Sequence, residues 1–119
     1  MKSVLAASML LLALPFVANA QNTVLHARTA QELGELCASN GKDPAGAARL
    51  NFCIGYAQAT FDLETRRAGD TKPFCIPSNG PSRAATMAEF ASWVRSSSDK
   101  AGNPQEALMR FMGQRFPCK

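Results

Sequence analysis

At 119 residues the chain has room for one domain rather than two. A chain of this size buries only about 60–70% of its unfolded surface, so its core alone gives modest stability. Its formal net charge of +4 comes from basic residues scattered along the chain, with Arg66-Arg67 the longest run, and the lone histidine and four cysteines show no Cys-x-x-Cys spacing. Nucleic-acid binding needs a concentrated basic face and structural zinc a closely spaced ligand set, so this pattern argues against both.

The opening stretch, MKSVLAASMLLLALPFVANA, has Lys2 as its only charge, an apolar run from Val4 to Leu14, and small residues at Ala18 and Ala20. This is the layout of a cleaved secretory signal over residues 1–20, with the cut expected between Ala20 and Gln21. A membrane anchor is the weaker reading, because a spanning helix needs about 20 apolar residues and no second apolar stretch follows. The expectation is a domain over residues 21–119 outside the cytoplasm, with no membrane contact, no metal and no cofactor. In an oxidising compartment, Cys37, Cys53, Cys75 and Cys118 read as two disulfides.

Residues 21–28 show no period. A first helix is expected from Thr29 to about Cys37, since TAQE places Glu32 three residues after a capping Thr, the pattern of a capping box. Asn40-Gly41 then breaks it. The second helix has the clearest start, with Asp43 as cap and Pro44 at the first position, where its missing N–H costs nothing. Leu50, Cys53, Ile54, Ala57 and Phe61 fall on one face of it, and a second stripe, Phe52, Tyr56, Ala59 and Leu63, covers the flank. Two apolar faces place this helix at the centre of the fold. Its end is expected near Arg67.

Residues 68–81, AGDTKPFCIPSNGP, are too rich in proline and glycine for a regular element, and Cys75 at their middle favours an ordered loop. A third helix is expected from about Ser82, with Met87, Phe90, Ala91 and Val94 on one face and Trp93 beside it. SSSDKAGN at 96–103 is the next connection. The last helix opens on Asn103 and Pro104, with Glu106 completing a second box and Leu108, Phe111 and Met112 inside. No strand-like alternation and no repeat occurs. The fold class is therefore all-α, a small disulfide-stapled bundle of about four helices.

Helix order constrains the bridges. If short connections make neighbours antiparallel, Cys37 comes within reach of Cys53, and Cys75 shares a pole with Cys118. That pairing is one of three connectivities, and the sequence leaves the other two open. The two motifs PFCIP (73–77) and RFPC (115–118) then form halves of one clamp, with Phe74 and Phe116 burying apolar area beside the sulfurs.

Beyond residue 30 the chain resembles the Rap/Tai family of type VI secretion amidase immunity proteins. The resemblance is carried by Cys37, by CIGYAQA at Cys53 to Ala59, by FCIP at 74–77, by the apolar third helix with Trp93, and by the ending ALMRFMGQRFPC. It implies a helical, disulfide-stapled, often dimeric fold located in the periplasm. It further implies a cognate peptidoglycan amidase as partner, blocked at its catalytic groove by a protruding loop.

Catalysis by the chain itself finds little material. A hydrolytic triad needs a nucleophile, a base and an orienting group, whereas His26 stands alone and Asp62 and Glu64 point apart on a helix. The expectation is a binder rather than an enzyme. The candidate partner-binding residues are Ser96, Ser97, Ser98, Asp99 and Lys100, short and polar enough to plug a wet groove; an ordinary solvated turn is the bland alternative. SNGPSR at 78–83, expected at the opposite pole, is a second candidate loop. Tyr56, Trp93, Met87, Met109 and Met112 read as core packing before interface anchors. The alternative function is a small periplasmic chaperone of the acid-stress type, which needs buried acidic or histidine switches.

Overall fold

The computed structural model describes residues 24–119, so the leader at 1–20 and its cleavage point lie outside the described residues. Helix α1 (Ala30–Cys37) begins where Thr29 is extended and its Oγ1 accepts from the Glu32 N–H at 3.1 Å. Glu32 reaches one residue further back than a capping box requires, and its Oε2 accepts from the Arg28 N–H at 2.6 Å. Helix α2 (Pro44–Ala68) is capped by Asp43, whose Oδ1 accepts from Gly46 N at 2.8 Å. Helix α3 (Arg83–Ser96) is capped by Ser82 in the same way, from Ala85 N at 3.1 Å. At the start of α4 (Pro104–Arg115), Asn103 Oδ1 accepts from both Gln105 N (2.8 Å) and Glu106 N (3.1 Å). Asn103 thus supplies its half of the expected box twice over, and no hydrogen bond from Asn103 N to the Glu106 carboxylate completes it. Each cap satisfies N–H groups that the helix leaves without partners.

The interior is formed chiefly by α1, α3 and α4. Leu33, Phe90, Leu108 and Met112 are fully buried, and Phe111 and Phe116 close the cluster. A Cβ built on Gly34 would come within 3.3 Å of Val94 Cβ and Cγ1, so glycine at this position lets α1 lie close against α3. No strand occurs among the described residues.

The second helix departs from the sequence expectation. Of its 25 residues only Cys53, Ala57 and Thr60 are buried, whereas the 14 residues of α3 bury Thr86, Met87, Phe90, Ala91 and Val94. The flank stripe stays outside, with Phe52 and Tyr56 half-buried, Ala59 exposed and Leu63 43% exposed. Helical spacing identifies which residues share a face but not how many faces find a neighbour. So α2 sits at the edge, and α1 and α3, packed on each other, take the central place.

The strict up-and-down order also gives way. Gln105 in the first turn of α4 donates to Glu64 Oε1 at 2.7 Å, so the late part of α2 meets the beginning of α4 rather than its end. Both expected disulfides form nevertheless. Cys37–Cys53 has S–S 2.04 Å and Cα–Cα 5.2 Å; Cys75–Cys118 has S–S 2.05 Å and Cα–Cα 5.0 Å. Residues 69–74 lead the chain to the far end of α4, where Cys75 N donates to Phe116 O at 2.8 Å. Phe74 sets its edge on Phe61 with centroids 4.9 Å apart, and Phe116 is buried. The pairing is the expected one, reached by a different path.

Candidate partner-binding site

Ser96 ends α3, and its hydroxyl donates back to Trp93 O (3.1 Å) and Ser92 O (3.3 Å), which finishes the helix without committing the next residue to it. Ser97 is extended, with its N–H on Val94 O at 3.0 Å and its Oγ accepting from Asp99 N at 3.1 Å. Gly102 N then donates to Asp99 O at 3.0 Å and closes a tight turn. A side chain at Gly102 would approach that same carbonyl to 3.1 Å.

The turn is anchored from outside as well. Ala30 N donates to Gly102 O and Gln31 N to Lys100 O, both at 2.9 Å. Two N–H groups at the start of α1 thereby find acceptors in the connection between α3 and α4. The carboxylate of Asp99 pairs with the Arg110 guanidinium of α4. Ser96, Ser98, Asp99 and Lys100 are exposed, and Ser97 is half-buried. The five candidate residues therefore lie on one braced segment, open to solvent and fixed by neighbours on α1 and α4. Beside it a depression of about 240 Å³ runs between α1 and α3, with Gly34, Ala91 and Val94 as its floor and Arg95 and Lys100 on its rim.

The second candidate loop, 78–83, lies at the other end of α3, where Gly80 N donates to Pro77 O at 2.9 Å and Ser82 serves as the helix cap. Trp93 is half-buried between Phe90 (centroids 6.2 Å) and Phe111 (5.9 Å), and its Nε1 donates to Gln114 Oε1 at 3.1 Å. Met87 and Met112 are core residues, while Met109 and Tyr56 are half-buried. Burial pushes the Tyr56 phenol up from its ordinary value.

His26 is exposed, with Nδ1 3.4 Å from Val24 O. Asp62 accepts from Gln58 and Glu64 faces Arg67 and Gln105, so the two carboxylates serve separate neighbours. All four cysteines are in disulfides. Among the described residues no group of three or more His, Cys, Asp or Glu could hold a metal, and no helix is long and apolar enough to cross a membrane. The Arg28 N–H holds the Glu32 carboxyl below its ordinary value, and the hydrogen bond from Arg115 to Glu89 holds that guanidinium above its own.

The contribution of α1 to the braced loop has no signature in the sequence, because the acceptors are backbone carbonyls. The sequence model of the family described as Rap1a immunity proteins matches residues 29–118, from the cap of α1 to the second cysteine of the clamp. The chain belongs to the Rap1a immunity protein family. The match takes in all four helices and both disulfides. Membership implies a cognate effector as the partner of this chain. No curated protein and no solved structure matches the chain.

Proposed function

We propose that the protein is a periplasmic immunity protein that binds and blocks a cognate type VI secretion peptidoglycan amidase, acting by contact and without catalysis of its own. The family supports the immunity role. The braced, exposed segment 96–100 supports the mode of action, since a loop already fixed in shape loses less freedom on binding and keeps more of its contact energy. Ser98, Asp99 and Lys100 offer hydroxyl, anion and cation to a polar groove. The stripe Phe52, Tyr56 and Leu63 on α2, which the chain covers only in part, supports a homodimer.

The acid-stress chaperone alternative draws no support from burial: every Asp, Glu and His among the described residues is exposed or half-buried. The test is co-expression of the exported protein with candidate periplasmic amidases, followed by affinity capture. Relief of toxicity and a stable complex are expected. Lys100→Glu and Ser98→Arg should each weaken capture by about tenfold or more, while Asn79→Arg in the other loop leaves it unchanged. Absence of both rescue and micromolar binding across the candidates sinks the proposal, and loss of capture with Asn79→Arg alone moves the site to 78–83.

A further inference from the structure

At the pole away from the braced loop, a half-open groove of about 400 Å³ lies between α2, the clasped segment 73–77 and the first turns of α3. Ile54, Phe61, Phe74 and Ile76 form its apolar sides, with the Phe61 and Phe74 rings packed against each other at 4.9 Å between centroids, and Met87 and Met112 line it as well. Ile76 is 50% exposed at the lip, an unusual position for a large apolar side chain beside an open groove. The volume falls in the range of small-molecule sites, and the two methionines give the lining a surface that adapts to its occupant.

The groove has one charged lining residue, Arg83, at the first position of α3. Among the described residues Arg83 makes no ion pair, and the first turn of α3 holds no acidic side chain. The helix end adds its own partial positive charge there. No carboxylate lines the groove, so a cationic ligand would find no partner in it. Gln58, Thr65 and Thr86 are the other polar lining groups, and the Thr86 hydroxyl already donates to Ser82 O at 2.9 Å. A peptide backbone laid in the groove would bring several N–H and C=O groups that these few side chains cannot satisfy, at a penalty for each one buried. An acyl chain brings none.

We propose that this groove binds a single free fatty acid, its chain laid against the packed Phe61–Phe74 pair and Ile76 and its carboxylate on Arg83. Calorimetric titration of the purified, disulfide-intact protein with dodecanoate, dodecanol and dodecylammonium, each below its micelle concentration, tests it. One dodecanoate per chain is expected, preferred over dodecylammonium. Affinity should rise about fourfold per methylene until the groove is filled. Arg83→Gln should weaken dodecanoate about tenfold and leave dodecanol unchanged, while Arg83→Lys retains most of the affinity. Ile76→Asp should abolish dodecanoate binding; both residues are exposed, so the fold is not at stake. Equal binding of dodecanoate and dodecylammonium, indifference to Arg83→Gln, or uptake only onto anionic phospholipid vesicles or apolar peptides would each overturn the proposal.

Discussion

Residues 69–82 and 97–103 both leave the helices for a stretch of irregular backbone, yet they are held by opposite means. The longer one is tied covalently: Cys75 is joined to Cys118, Cys75 N donates to Phe116 O, and Phe74 packs on Phe61. The shorter one is held by backbone hydrogen bonds to the start of α1 and by one exposed ion pair to α4. A long loop has more freedom to lose, and a crosslink removes much of it from the unfolded chain as well. A short loop needs only a few acceptors aimed at a helix end that lacks them. The covalent tie should resist acid and salt, and the hydrogen-bonded one should feel both.

Removing the clasp gives the largest expected effect. Cys75→Ser with Cys118→Ser opens a crosslink spanning 43 residues, for which the chain-entropy account gives about 4 kcal/mol. Cys118 is exposed and Cys75 half-buried, so little packing is lost with the sulfurs. Urea unfolding should show the loss, and hydrogen exchange should accelerate over 72–77 while Ala30 and Gln31 keep their protection. Acceleration across all four helices at once would show that the clasp holds the whole domain rather than one loop. The buried Cys37–Cys53 pair is the control, since its removal should loosen the core and leave the two loops equally affected.

A smaller effect sharpens the other side. Thr29→Ala removes the acceptor for Glu32 N and should cost about 1 kcal/mol, as lost N-caps generally do. Fraying at the start of α1 should reach residues 97–103, because Ala30 and Gln31 donate to the carbonyls of Gly102 and Lys100. Exchange should quicken at Ala30 and Gln31, and amide shifts should move at Asp99 to Gly102. The segment 72–77 should show no change. If 97–103 is equally ordered in this variant, the ion pair between Asp99 and Arg110 is its principal support.

The same division between local and non-local chemistry explains what the sequence makes legible. Thr29, Asp43-Pro44, Ser82 and Asn103-Pro104 mark all four helix starts correctly, because a cap acts on N–H groups two or three residues away. The disulfide pairing is only partly readable: the expected pairs form, but Cys75 reaches Cys118 through residues 69–74 rather than through the meeting of helix ends. The place of α2 is not readable, since Phe52, Tyr56 and Leu63 have the composition of a buried face that its neighbours cover only in part. At the candidate site, the polar run at 96–100 is visible in the sequence. Its attachment to α1 is not, because Lys100 O and Gly102 O are backbone atoms that any residue supplies. Arg83 beside an apolar groove is likewise a juxtaposition of segments distant along the chain, and no motif announces it.

Glu32 gives the smallest of the expected effects and the one that separates the two loops by pH. Its carboxylate accepts from Arg28 N at 2.6 Å at the end of α1 that supports 97–103, and that N–H holds its pKa below the ordinary 4.5. A carboxyl whose folded value is depressed contributes stability above its unfolded value, and the contribution is lost as pH falls through the folded value. Glu32→Gln should therefore be slightly less stable than the parent at about pH 6, and the two urea midpoints should draw together as pH falls below about 4.5. The side chain is half-buried and still reached by solvent, so added salt should shrink the difference. Because the clasped loop has no such carboxylate at its anchor, exchange at 72–77 should be the same in both proteins across this range. A midpoint difference that persists undiminished in acid would mean that Glu32 acts through packing rather than charge, and that the hydrogen-bonded loop is no more sensitive to acid than the covalent one.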